Sequence, residues 1–78
     1  MQKELDTDEL FNQWCEEKGL TKRESDVAEQ VSRGLTSKEV ADKLFISERT
    51  VTKHLQSIYR KSETKNRFEL INSLNSYS

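Results

Sequence analysis

Proline is absent from this sequence, and glycine occurs only twice, as Gly19 and Gly34. Sheets of many strands need frequent tight turns that draw on both residues, so this shortage points to an all-α domain. Cysteine occurs once, as Cys15, which excludes an intrachain disulfide and a cysteine-based zinc site. His54 is the single histidine and has no cluster of ligands or catalytic partners around it in the sequence. No metal site and no cofactor are therefore expected. No apolar run approaches the roughly 20 residues that span a bilayer. The opening MQKELDTDEL lacks the apolar stretch of a signal peptide. Nor is there a phosphate-binding loop, an evident nucleophile or a pair of catalytic acids. These absences predict a non-enzymatic, soluble protein in a reducing, cytoplasmic setting, away from membranes.

What is present is charge, and its distribution is uneven. The formal net charge of the 78 residues is −1. Residues 1–19 hold two lysines against six carboxylates, a balance of −4, whereas residues 20–78 hold eleven basic residues against eight acidic ones, or +3. Between Ser47 and Arg67 the count is six basic to two acidic, or +4. Net charge averages away the local field, and a polyanion meets only the local field. A chain this short buries about 60% of the surface its unfolded form exposes, so a few helices must share one small core.

Helix signals recur along the chain. TDELFNQWCEEK, residues 7–18, places Leu10, Phe11, Trp14 and Cys15 on one face, with Asp8 and Glu9 in the dipole-favoured first turn and Gly19 as the stop. Trp14 reads as a core or interface anchor and Cys15 as a small buried hydrophobe. Thr21 and Glu24 have capping-box spacing, and the stripe Val27, Ala28, Val31 follows before Gly34. Thr36 and Glu39 repeat the box. Asn66 and Glu69 have the same cap-to-N3 spacing ahead of Phe68, Leu70, Ile71 and Leu74, and the terminal NSYS is expected to fray. The predicted organisation is an acidic amphipathic helix over 1–19 and a second unit over 20–78.

Residues 36–61, TSKEVADKLFISERTVTKHLQSIYRK, carry the functional signal. Val40, Ala41 and Leu44 mark one short helix, Phe45 and Ile46 an apolar turn, and Ser47 a cap for a second helix over Glu48–Lys61. Val51, Leu55, Ile58 and Tyr59 then recur at helical spacing. That is the pattern of a helix-turn-helix. Thr52, Lys53 and Gln56 project away from the apolar side, where a helix in the major groove meets base edges. Lysine can donate to guanine, glutamine can pair in bidentate fashion with adenine, and threonine can meet a thymine methyl. Lys38, Ser47, Arg49, Thr50, Arg60 and Lys61 are candidates for phosphate contacts, which position without reading sequence. Taken singly, Lys38, Arg60 and Lys61 fit the bland alternative, a solvated helix surface, better than a phosphate contact. His54 is expected to orient against the backbone or a phosphate.

Taken in order, Leu20-Thr21-Lys22-Arg23-Glu24, Val27, Val31, Gly34 through Ala41, Leu44, Ile46-Ser47-Glu48, Thr50-Val51, His54-Leu55, Ile58 through Lys61 and Asn66-Arg67 closely resemble the LuxR/GerE-type DNA-binding domain. The resemblance spans residues 20 to about 74. It implies a four-helix helix-turn-helix domain, here with an additional N-terminal amphipathic helix, acting as a bacterial transcriptional regulator on double-stranded DNA. It also puts Thr52, Lys53 and Gln56 at the base-reading positions and implies a homodimer through the C-terminal helix, with Leu70, Ile71 or Leu74 in the contact. The sequence departs from the family pattern at Ala28 and Gln30, where larger aliphatic residues are usual. It departs again at Ser62-Glu63-Thr64, where an apolar-Gly-apolar segment is common; looser packing of the second helix is expected at the first place, and at the second either a looser turn or compensation by the N-terminal helix with Phe11 and Trp14.

Two other readings share these features. The fold can serve as an interaction module for a related regulator or RNA polymerase, with weak or no DNA binding, and the acidic first helix suits that role. Region 4 of a sigma factor shares the helix-turn-helix, but the Thr21–Glu24 and Asn66-Arg67 signatures argue against it. A coherent first helix after Met1 favours a standalone regulator over an excised output domain.

Overall fold

The computed structural model describes residues 7–77. Five helices follow one another: α1 Thr7–Lys18, α2 Lys22–Ser32, α3 Ser37–Leu44, α4 Glu48–Ser62 and α5 Arg67–Ser76. No strand occurs among the described residues, as the shortage of turn residues predicts. Each start from α2 onward is set by a side chain that accepts a hydrogen bond from an otherwise unpaired N–H. Thr21 accepts from the Glu24 N–H at 3.1 Å while Glu24 accepts from the Thr21 N–H at 2.9 Å. Thr36 and Glu39 repeat the exchange at 3.2 and 2.8 Å. Ser47 and Asn66 cap α4 and α5 by accepting from the Thr50 and Glu69 N–H groups. Glu69 does not close a box on Asn66; its carboxylate accepts from the Lys65 N–H at 2.8 Å.

The first four helices end on a residue in the left-handed region: Gly19, Gly34, Phe45 and Glu63. In each case the next N–H reaches back across the last turn, from Leu20 to the Cys15 carbonyl, Leu35 to Gln30, Ile46 to Ala41 and Thr64 to Tyr59, at 2.9 to 3.3 Å. This arrangement satisfies terminal carbonyls and turns the chain sharply, and an apolar residue after the turn usually anchors it. Leu20, Leu35 and Ile46 do so, packing against the core. Thr64 breaks the pattern. There the anchoring is polar: Ser62, buried, donates to the Ile58 carbonyl at 2.7 Å, and its hydroxyl also bonds that of Thr64 at 2.9 Å. The departure at Ser62-Glu63-Thr64 thus exchanges apolar contacts for hydroxyl bonds, so the looser turn expected from the sequence is replaced by a tied one.

α2 is the hub, packing against α1, α3, α4 and α5. One core runs through all five helices and includes Trp14 and Cys15 from α1, Val27, Ala28 and Val31 from α2, Val40 and Ala41 from α3, Val51, Leu55 and Ile58 from α4, and Leu70 from α5. Trp14 is 1% exposed and its indole N–H donates to Ser73 at 3.3 Å, so α1 is fastened to α5 as well as α2. Burial pushes the Cys15 thiol above its ordinary pKa; a Ser25 hydrogen bond opposes this and the Glu29 charge adds to it. Of the terminal NSYS, expected to fray, Ser78 lies outside the described residues; α5 continues to Ser76, and the Tyr77 hydroxyl donates to Glu17 of α1 at 3.1 Å. A partner sixty positions away in the chain leaves no local trace in the sequence. At the second departure, Ala28 is fully buried and the buried Gln30 Oε1 has no hydrogen-bond partner among the described residues.

Candidate nucleic-acid interface

α4 buries Val51, Leu55, Ile58 and Ser62 along one side. At about 100° per residue, Arg49, Thr52, Lys53, Gln56 and Arg60 then share an arc of about 100° on the opposite side. All five are exposed. The three expected base readers are therefore brought together, with one arginine near each end of the helix. No carboxylate lies on α4 between Arg49 and Arg60.

Ion pairing elsewhere sharpens this surface. On α2, Lys22 and Arg23 approach Asp26 at 3.9 Å, and Arg33 pairs with Glu29 at 2.8 Å. Arg49 and Lys53 have no ion pair among the described residues. Their charge is left to the solvent and to whatever polyanion approaches. Lys38 on α3 is also exposed. Arg60 makes one long bond to Ser57, at 3.4 Å.

Lys61 has a different role from the phosphate contact expected of it. Its Nζ lies 2.7 Å from the Glu24 carboxylate, with the lysine side chain 28% and the glutamate side chain 7% exposed. Lys61 sits off the outward arc, on the flank of α4 that faces α2, and it joins the two helices. Burial alone would push the Glu24 carboxyl up. Hydrogen bonds from Lys61, Ser57 and the Thr21 N–H, with the Lys61 charge, overcome that and hold it down at about 2.

Ser47 and Thr50 are engaged in the cap: the Ser47 hydroxyl accepts from the Thr50 N–H at 3.1 Å and shares a 2.9 Å bond with the Thr50 hydroxyl. Both lie at the start of α4, so their position suits a phosphate even though their geometry is first a capping geometry. His54 is half-buried. Of the residues expected at a dimer contact, Leu70 is fully buried within the chain, and Ile71 and Leu74 are half-buried and pack against the same core. Leu70 is thereby corrected from interface to core. Helical spacing alone marks which residues share a face, and it does not say whether that face meets its own chain or another.

Two residues that sequence reasoning left without a role stand out. Arg67 is half-buried and donates to the Leu35 carbonyl at 2.6 Å and to the Ser37 hydroxyl at 3.1 Å, clamping α5 to the α2–α3 corner. Its partners lie about thirty residues away, so no local signal marks it. Phe68 is 73% exposed on α5, on the side away from Leu70. A large apolar residue out of phase with the stripe Leu70, Ile71, Leu74 was the available signal.

The pattern of the bacterial regulatory proteins of the luxR family matches residues 18–74 of this chain. The chain is 42% identical over 52 residues to the spore germination protein GerE of Bacillus subtilis, covering 67% of this chain and 70% of that protein. It is 44% identical over 48 residues to the transcriptional regulatory protein YhcZ of the same organism, across 62% of this chain and 22% of YhcZ. An HTH-type transcriptional regulator of Mycobacterium tuberculosis is 44% identical over 52 residues, which is 67% of this chain but 6% of that protein. The chain thus spans a small part of the larger relatives and most of GerE. No solved structure matches it significantly.

Proposed function

The chain belongs to the luxR family of bacterial regulatory proteins, a family of DNA-binding transcription regulators, and from that membership we propose that it reads duplex DNA sequence-specifically with α4 in the major groove. The observation that carries this is the outward arc of α4, where Thr52, Lys53 and Gln56 stand exposed between Arg49 and Arg60 while the nearby Lys61 is drawn into an ion pair. A helix fits the groove, and its N-terminal half makes most base contacts. Thr52, Lys53 and Gln56 read bases. Arg49, Arg60 and Lys38 hold phosphates, with Ser47 and Thr50 at the helix start. Selection of bound duplexes from a random pool is the direct test: a recurring site is expected, with affinity falling steeply as salt rises because phosphate contacts release counterions. Recovery of no preferred sequence would sink the reading.

The protein acts as a symmetric dimer on half-sites about one helical turn apart. Phe68 supports this, because a large apolar side chain 73% exposed on the last helix suits a contact with a second copy. Phe68→Asp is expected to lower the sedimenting mass and to weaken binding to the two-half-site duplex more than to a single half-site. An unchanged sedimentation profile would remove α5 from the interface.

A further inference from the structure

Phe45, in the turn between α3 and α4, bears two costs at once. Its φ of 59° puts a bulky L-residue in the left-handed region, and its side chain is 94% exposed. Glycine, with no Cβ, would hold the same turn without the first cost, as Gly19 and Gly34 do at the ends of α1 and α2. The turn's backbone bond and the packing of Leu44 and Ile46 against the core offset the first cost, but the ring itself stays outside, so the second is not offset among the described residues.

Position decides what the ring can meet. Phe45 is two residues before Ser47, the cap of α4, a reach of at most about 7 Å. Thr52 is five residues beyond that cap, about 7.5 Å along the helix axis. The major groove is about 12 Å wide. With the N-terminal half of α4 in the groove, the turn that precedes its cap lies next to the groove wall, where a ring projecting outward meets the sugar–phosphate backbone. Phe45 lies in the same turn and helix start as Arg49, whose charge is unpaired among the described residues, whereas Phe68 lies on the last helix, away from the reading arc. A deoxyribose face flanked by phosphates offers an apolar surface for the ring and an anion for Arg49, which lies on the outward arc of α4, while the acidic Asp42 and Glu48 balance Lys43 and Arg49 in net charge, so that the contact depends on the ring.

We propose that Phe45 is a DNA-contacting residue that packs on the sugar face of the backbone at the groove edge, adding affinity without sequence preference. The proposal rests on the DNA-reading function of α4. Its test is binding of Phe45→Gly and Phe45→Asn, both tolerant of the left-handed turn, to a selected duplex and a scrambled one across a salt series, together with thermal unfolding. Affinity is expected to fall about tenfold on both duplexes. The dependence of log affinity on log salt should stay unchanged, because an apolar contact releases no counterion. The melting temperature should hold or rise, which separates lost contact from lost fold. Wild-type affinity in both variants would overturn the proposal, and so would a loss confined to the selected duplex or one accompanied by a shallower salt slope. Failure of the wild-type chain to bind any duplex would instead remove the underlying function.

Discussion

At its N-terminal end α4 follows a left-handed residue, Phe45, and at its C-terminal end it runs into another, Glu63, with the same backbone bond reaching back over the turn each time. The side chains around these two corners are treated in opposite ways. Near the start, Arg49 and Lys53 are exposed and without ion pairs among the described residues, and Phe45 stands in solvent. Near the end, Lys61 is paired with Glu24, Ser62 is buried and bonded to Ile58, and Arg67 just beyond grips the α2–α3 corner. Apolar residues anchor α4 along its whole length, but its polar ties to other helices lie at its end, while the charged side chains near its start are left presented. Two lysines two turns apart, Lys53 and Lys61, differ in role because of what lies beneath them and not because of what they are.

The largest expected effect tests the held end. Lys61→Met keeps the aliphatic stem but leaves the Glu24 carboxylate buried without its cation, and urea unfolding should show a loss of about 3 kcal/mol. Arg60→Met, one residue away and exposed, should change stability by less than about 0.5 kcal/mol. The same pair sets an acid limit. Glu24 has its folded pKa depressed to about 2 from 4.5, so its contribution is complete above the unfolded value and is lost as pH falls from about 5 towards 2. The wild type should lose stability through that window, and Lys61→Met should lose much less. Equal acid sensitivity in both would show that the ion pair does not hold the helix.

The presented end is tested next. Lys53→Ala and Gln56→Ala should each relax preference at particular base pairs by about 1–3 kcal/mol, whereas Arg49→Ala should weaken all sequences alike and make the salt slope shallower by about one. Uniform losses from all three would mean that the groove-facing surface is misassigned. The smallest effect sharpens the comparison of corners: Glu63→Gly should stabilise the fold by about 1 kcal/mol by relieving the left-handed strain, measured by thermal melting, and leave DNA affinity unchanged. A drop in affinity would tie this corner to function after all.

Capping carried most of the fold into view from the sequence. The boxes at Thr21–Glu24 and Thr36–Glu39, the caps Ser47 and Asn66 and the stops Gly19 and Gly34 are interactions over three to six residues, and the helices begin and end where those residues place them. The outward arc of α4 was legible for the same reason, since 3.6-residue periodicity assigns faces within one helix. Missed were Arg67 on Leu35, Tyr77 on Glu17, Trp14 on Ser73 and Lys61 on Glu24, each joining positions thirty or more residues apart.

The sequence by itself thus determined that there are five helices, where they start, and which polar side chains α4 turns outward, because those depend on local hydrogen bonding and on the pitch of the helix. The tertiary structure alone decided that Leu70 belongs to the core, that Phe68 and Phe45 face solvent, and that Lys61 binds Glu24. Whether an apolar or charged side chain is buried, paired or exposed depends on which helix packs across from it, and that neighbour is set by the assembled fold.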